Sequence, residues 1–535
     1  MRISTLFRAV FVGAAVCALA IAQVAVVTYH NDNLRTGLNN KETVLTPSNV
    51  HAKTFGKLFV QAVDGQVYAQ PLYVPGVAIP GKGTHNVVFV ATENDSIYAF
   101  DADNNTGANA SPLWKAAFAN PAQGITPISS STLGCDDLTP QVGITGTPVI
   151  VRSTATMFVV AKTQEVVSGV TSFYQRLHAI DLQSGAEKLG GPFVVSASVP
   201  GNCYPNVNGN VNFDAKRQHQ RAGLALSNST VYVGWASHCD NNPYTGWMMA
   251  FSATTGAPTG VFNTAPNMGT LSYECRSGIW QGGAAPAVDS TGNLFFATGN
   301  GYFNANSGGN DYGDSVLKLK PSGGSFSVTD YFAPYNQDSL DAADLDLGSG
   351  GVLLLPDQAG PNPHLAVNVG KEGTIYLLNR DNLGKYNAGG DSQIVQSLPN
   401  AIGGVWGVPA YFGTRVYFGG EFDAVKAFKL TNGLLGTSPD SQTPTSFGYP
   451  GPGISVSANG TTAGIVWVLD SQAWGSGGAA VLHAYDATNL SRELYNTKAK
   501  PRDQLGPAVK FAVPTIANGK VYVGTGNSLA VLGPQ

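Results

Sequence analysis

Charge is the scarcest property of this chain. Only 12% of its 535 residues are Asp, Glu, Lys or Arg, about half the usual share, and the formal net charge is -4. Such a chain offers no electrostatic case for a nucleic-acid or anionic-lipid partner. Cysteine is also sparse, and none of the five falls in a CxxC or CxxCH arrangement. That spacing leaves no case for a zinc ribbon or for covalently attached haem. Beyond the N-terminus no segment approaches the roughly 18 consecutive apolar residues of a bilayer span. Helical periodicity is missing as well. What the chain has instead is 65 Gly and an abundance of Asn, Thr and Ser, the composition of a turn-rich β protein.

The N-terminus reads as a secretory signal. Arg2 and Arg8 precede an apolar run from Ala9 to Ala22 that ends in small residues, the layout of an export signal cleaved after Ala22. On that reading, residues 23–535 form a single periplasmic or secreted domain with no transmembrane segment after cleavage. Cys17 leaves with the signal, so Cys135, Cys203, Cys239 and Cys275 remain. An even number in an oxidising compartment suggests two disulfides, with three possible connectivities.

Internal repetition is the strongest signal. Short strands of small residues with Pro or Gly recur near Pro71, Pro148, Gly223, Pro286, Gly351, Pro409, Ile454 and Pro514. An aromatic or β-branched strand follows each: Val87–Ala91, Met157–Ala161, Val231–Trp235, Leu294–Thr298, Leu365–Val369, Val416–Gly419, Ile465–Leu469 and Val521–Gly524. A third strand then ends in an Asp- or Gly-bearing turn, as at Asp101 with Gly107 and at Asp181 with Gly185. Period-two alternation marks these strands as half-buried. The pattern predicts an all-β, eight-bladed β-propeller of four-stranded blades without helices, a fold that hides its sheet edges by closing a ring. The last unit stops at its third strand, Ser528–Gly533, and the orphan strand Lys57–Val63 is expected to complete that blade. Pro439–Pro452 reads as a long loop between blades.

In an up-down blade, loops between blades and loops after second strands share one face. Trp280, Asp338, Asp341, Asp344 and Asp346 fall in the first kind of loop, and Glu165, Asn300 and Lys371 in the second. The four cysteines fall on that face too. Carboxylates and a carboxamide suit Ca²⁺, a carboxylate can act as general base toward an alcohol, and an indole offers a flat stacking surface. Each residue also has a plain structural reading: a Trp wedge, a turn Asn, a hairpin Lys, capping aspartates. Their shared face is what joins them.

The unit ends YAFDADNNTG (98–107) and HAIDLQSG (178–185) resemble the repeat of the pyrroloquinoline quinone (PQQ) propellers, which comprise the quinoprotein alcohol dehydrogenases and their non-catalytic relatives. The likeness covers most of residues 55–533. VVAKTQE, ending at Glu165, is similar to the stretch holding a calcium-ligand Glu in that family, and Ala297-Thr298-Gly299-Asn300 to its GxGN turn with a second calcium-ligand Asn. Trp280 resembles the indole floor beneath the quinone. Asp338-Ser339-Leu340-Asp341 resembles the D-x-W-D segment whose last Asp is the proposed base and a metal ligand. Gly370-Lys371-Glu372-Gly373 resembles the turn whose cation contacts the quinone.

The resemblance implies PQQ and calcium as cofactors and no haem. It assigns Asp341 as catalytic residue, Trp280 and Lys371 as cofactor contacts, and Glu165, Asn300 and Asp341 as metal ligands. An alcohol or sugar would be the substrate and an external electron acceptor the partner. Several features depart from the pattern: the loop before Asp341 is longer, and the family's docking tryptophans are largely missing, Trp114 being an exception. Leu340 stands where the segment has Trp, Cys135 is followed by Asp136 instead of a second Cys, and Val405-Trp406 stands where the family has Asn-Trp. A non-catalytic propeller binding a protein or glycan in the cell envelope is the alternative expectation. A propeller glycosidase or lyase lacks a carboxylate pair that the sequence can place.

Overall fold

The computed structural model describes residues 24–269 and 275–535; the N-terminal run read as a signal lies outside them. Among the described residues, no helix is long and apolar enough to cross a membrane.

The repeated unit forms for the local reasons its sequence suggests. In one copy, Ala287–Val288 pairs antiparallel with Leu294–Ala297, which pairs with Val316–Ser322 and then Gly324–Phe332. Asp289 Oδ1 makes the first turn by accepting from the N–H groups of Thr291 and Asn293, both at 2.9 Å. This is the Asp turn chemistry that competes with continued extension. The Asp that ends each third strand works the same way. Asp101 Oδ1 accepts from Asp103 and Asn104, and Asp181 Oδ1 from Gln183 and Ser184.

The sheets are antiparallel meanders of this kind, for example Leu72–Ile79, Gly83–Thr92, Ser96–Asp101 and Trp114–Ala117. The N-terminal strand Phe55–Ala62 lies antiparallel on Ser528–Pro534, at the outer edge of the sheet that also holds Lys520–Gly524 and Thr515–Ala517. This N-terminal strand therefore completes the last sheet, as expected. Phe55 is buried there, 5.6 Å from the Trp467 ring and edge-on to Tyr495 at 5.0 Å.

Neighbouring units are tied by a recurrent contact. Trp114 Nε1 donates to Leu182 O at 2.9 Å, Tyr417 Oη to Ala487 O at 2.7 Å, and Tyr522 Oη to Ala102 O at 3.2 Å. Each accepting carbonyl belongs to the residue just after the turn-forming Asp of the adjacent unit. The acceptor position is shared, while the donor is a Trp on a fourth strand in one case and a Tyr on a second strand in the other two, and the Tyr522 contact joins the last unit to the first.

Three expectations are corrected. The segment read as a loop from Pro439 to Pro452 contains the strand Ser441–Phe447, which pairs with Asp423–Thr431. Thr443 and Phe447 face inward, and the exposed Pro444 sits on an edge strand, where a missing N–H costs no ladder bond. Among the described residues two short α-helices occur, Ser130–Leu133 and Gln337–Ala342, each too brief to show a helical period. The strand expected to end at Ala161 runs on to Val167 and returns as Val170–Asp181 in a long hairpin. Of the possible disulfide connectivities the chain adopts Cys135–Cys239 and Cys203–Cys275.

Candidate functional site

A cavity of about 360 Å³ is walled by Trp280, Trp406 and Tyr449. Around these rings stand Arg221, Asp240, Asp344, Asp346 and Lys371, and Cys239 carries the Cys135 crosslink to the same wall. Backbone approach brings the two tryptophan loops together. Gly282 has φ +54°, and a Cβ there would meet Trp406 O at 1.4 Å, so only glycine fits. Trp280 is buried, packs edge-on against Tyr244 with centroids 6.0 Å apart, and has no partner for its Nε1 among the described residues. The Arg221 guanidinium lies 5.8 Å above the Trp280 ring and 4.2 Å above Phe511, within the range of a cation–π contact.

Asn300 sits behind this wall, held by two aspartates that reach the cavity. Its N–H donates to Asp346 Oδ1 and its Nδ2 to Asp344 Oδ1, both at 2.7 Å. Gly299 permits this, since a Cβ on it would lie 2.0 Å from Asp346 Oδ1 and 2.8 Å from Trp280. Asn300 Oδ1 is buried and makes no hydrogen bond among the described residues. Asp314 Oδ2 is in the same condition, its Oδ1 accepting from Leu347 N–H at 2.9 Å. Burial, reinforced by the charge on Asp346, holds the Asp314 carboxyl well above the usual carboxylate range.

Asp341 lies on the short helix Gln337–Ala342, with its carboxylate toward the Gly301 N–H and 3.7 Å from Arg276 Nη1. Its Oδ1 is buried without a hydrogen bond among the described residues, and burial raises its pKa above the ordinary Asp value. Lys371 Nζ contacts Asp346 Oδ2 at 2.6 Å and Asp344 Oδ1 at 3.1 Å. Burial alone would lower its pKa, but the two carboxylates more than reverse this and keep it cationic.

The structure therefore gathers Trp280 and Lys371 on one cavity wall, with Asn300 and Asp341 in the layer behind. It does not bring Glu165 there. Glu165 lies in the extended strand Thr156–Val167, opposite Ser172 and Ile125, and pairs with Arg176. It lines a separate cavity of about 310 Å³ beside Phe118, His178 and Pro192. The strand does not turn after Ala161, so Glu165 sits within a continuous hairpin and not in a loop after a second strand. Asp338 is exposed on its helix and lines neither cavity.

No family description matches the sequence, and no curated protein matches it either. Solved structures do match. The quinohemoprotein alcohol dehydrogenase ADHIIG of Pseudomonas putida HK5 superposes with a TM-score of 0.60 at 13% identity, covering 95% of this chain and 80% of the other. The quinohemoprotein alcohol dehydrogenase of Comamonas testosteroni gives 0.56 at 13% identity, over 96% and 80%. A europium-containing methanol dehydrogenase gives 0.50 at 14% identity, over 95% and 98%. This chain has their β-propeller fold. At such identities the likeness speaks for architecture, and the site must be argued from its own residues.

Several cavity residues were not singled out from the sequence. Asp240 follows the second strand Thr230–Trp235 just as Asn300 follows Leu294–Ala297, so the loop rule that picked Asn300 also reaches it. Arg221 and Trp406 precede small strands in the manner of Trp280. Tyr449 had no signal, because the segment around it reads as an unstructured loop.

Proposed function

We propose that this chain is an exported, eight-bladed PQQ-type propeller that binds a planar quinone and a divalent cation and oxidises an alcohol or sugar hydroxyl. The observation that carries this reading is that Oδ1 of Asn300 and Oδ1 of Asp341 are both buried without a hydrogen bond among the described residues, Asn300 being held by two aspartates of a cavity walled by Trp280. Hard cations such as Ca²⁺ take oxygen donors of this kind. Asp314 Oδ2 is a third buried oxygen without a hydrogen bond among the described residues, and all three are oxygens of the type a hard cation accepts. When bound, the quinone would accept the hydride and the cation would polarise its carbonyl.

The chain's own residues supply the rest. Trp280 offers the stacking face, Gly282 and Gly299 let the walls close, and Lys371 and Arg221 hold positive charge at the cavity for an anionic quinone. Asn300 and Asp341 hold the cation. Glu165 takes no part, since it lines another cavity. The test is a difference spectrum of purified protein with PQQ, with and without Ca²⁺, followed by dye reduction with a panel of alcohols and sugars. Quinone uptake that depends on Ca²⁺ is expected, and no spectral change under either condition overturns the reading.

The displaced Glu165 and the crosslink of Cys135 to Cys239, in place of an adjacent cysteine pair, favour a second reading: a non-catalytic propeller docking a protein or glycan. It gains if no quinone is taken up and if neither Asn300→Ala nor Asp341→Ala alters metal binding.

A further inference from the structure

We infer that Asp240, not Asp341, is the carboxylate that takes the proton of the substrate hydroxyl. The inference rests on the dehydrogenase reading and assigns a residue of this chain that the family resemblance does not. Its basis is placement. Asp240 lines the cavity with Trp280, whereas Asp341 lies behind the wall, faces Arg276 and does not line it.

Asp240 is held in place from two sides. Tyr244 Oη donates to Asp240 Oδ1, and the Tyr244 ring packs edge-on against Trp280. One phenol thus fixes both the carboxylate and the indole wall. On the other side, Cys239 and Asp240 are consecutive non-glycine residues in the left-handed region, at φ 48° and 50°. That conformation costs about 1 kcal/mol or more per residue and persists only where its surroundings impose it. Here the Cys135–Cys239 bond ties the strained pair to the loop that follows the Ser130–Leu133 helix. Backbone strain of this sort clusters at working sites.

The charged groups facing Asp240 divide its role from that of its neighbours. Lys371 is already engaged by Asp346 and Asp344, leaving Asp240 with a phenol as its one direct partner among the described residues. Burial, and then the charges of Asp346 and Asp344, push the Asp240 carboxyl up to about 6, while Tyr244 and Lys371 act in the opposite direction. A base so placed is ionised at neutral pH yet basic enough to accept a proton. In the step itself the substrate O–H bond breaks, the proton goes to the Asp240 carboxylate, and the electron pair stays on the alkoxide oxygen.

The experiment compares Asp240→Asn, Asp341→Asn and Tyr244→Phe with the wild-type full chain. Each protein is titrated with PQQ and Ca²⁺ by absorbance, then assayed by dye reduction with ethanol and with glucose across pH 5 to 9. Asp240→Asn is expected to keep quinone and Ca²⁺ binding while kcat falls by about 10²-fold or more. Asp341→Asn is expected to weaken Ca²⁺ binding. Tyr244→Phe is expected to move the acid limb of the kcat profile to higher pH by about one unit, because a hydrogen bond to the charged form is lost. As a readout independent of turnover, the cofactor-free wild type should show a near-ultraviolet transition of Tyr244 and Trp280 near pH 6 that Asp240→Asn lacks. The inference is overturned if Asp240→Asn keeps kcat within about threefold of wild type, or if it loses quinone binding as Asp341→Asn does. Absence of quinone uptake by the wild type overturns the dehydrogenase reading and this assignment together, and that outcome is visible before any variant is compared.

Discussion

Lys371 and Asp346 meet twice: Nζ lies 2.6 Å from Oδ2, and the Lys371 N–H donates to the Asp346 carbonyl at 3.0 Å. The other carboxylate oxygen of Asp346 accepts from Asn300 N–H, so one aspartate orients both a cavity cation and the amide behind it. Asp346 is buried, and its lysine is largely so. Removing one partner of such a pair strands a charge, which costs far more than the pair contributes. Lys371→Met should therefore lower stability by roughly 2–3 kcal/mol, less than the fully buried limit because Lys371 keeps some exposure. Urea unfolding of the cofactor-free protein measures it. A loss below about 0.5 kcal/mol would mean the pair is solvated like an ordinary surface bridge.

An aromatic plug anchors the start of the strand that completes the last sheet. Phe55 is fully buried at the start of the strand that completes the last sheet, against Trp467 and Tyr495. Phe55→Ala removes its transfer energy and leaves a hole, a loss of about 3–5 kcal/mol. Because the plug joins the N-terminal strand to the C-terminal sheet, the amides of residues 56–62 should exchange faster with solvent in this variant than those of Leu294–Ala297, which hydrogen-deuterium exchange can follow. Equal change in both strands would show that the ring opens as a whole.

The fold was legible because strand and turn are local matters. Period-two burial, Asp turns and small-Pro strands are written within about ten residues of one another. The same rule put Trp280 and Lys371 on one wall, since position relative to a strand end sets the face. Glu165 failed because that rule presumes where the strand ends, and nothing between Ala161 and Val167 breaks β structure. The sequence put Asp341 on the shared face but did not show that it stands off the Trp280 cavity, because the Gln337–Ala342 helix that carries it is only six residues long. Cys135 looked like half of a missing adjacent pair. Its partner at Cys239 is a long-range fact that spacing could not choose among the three connectivities.

The crosslinks offer a third test. Cys203–Cys275 spans 72 residues and Cys135–Cys239 spans 104, and bonds closing loops of this size typically stabilise by about 2–4 kcal/mol through the unfolded chain. The paired change Cys203→Ser with Cys275→Ser should lower stability by that amount while leaving quinone uptake intact, since neither residue lines the Trp280 cavity. Peptide mapping without reductant should recover the two pairs as given, and any Cys135–Cys203 or Cys239–Cys275 peptide would contradict the topology.

Away from the cavity, Glu93 gives the stability of the protein a pH dependence of known sign. It is buried, its Oε2 accepts from Gly143 N–H at 2.7 Å, and its Oε1 has no partner among the described residues. Burial pushes its pKa from 4.5 up to about 7. Between those two values the folded state binds more protons at this site than the unfolded state, so its contribution to stability falls as pH rises. Lys162, drawn down from 10.5 to about 7 by burial, has the opposite sign, but its window opens only above neutrality. Glu93→Gln removes the falling limb. The stability of the variant relative to wild type should therefore improve by roughly 3 kcal/mol on going from pH 4.5 to 7, and then level off. Urea unfolding of both proteins at half-unit intervals measures the difference. A difference that stays flat across this window would show that water reaches Glu93 and relieves the burial.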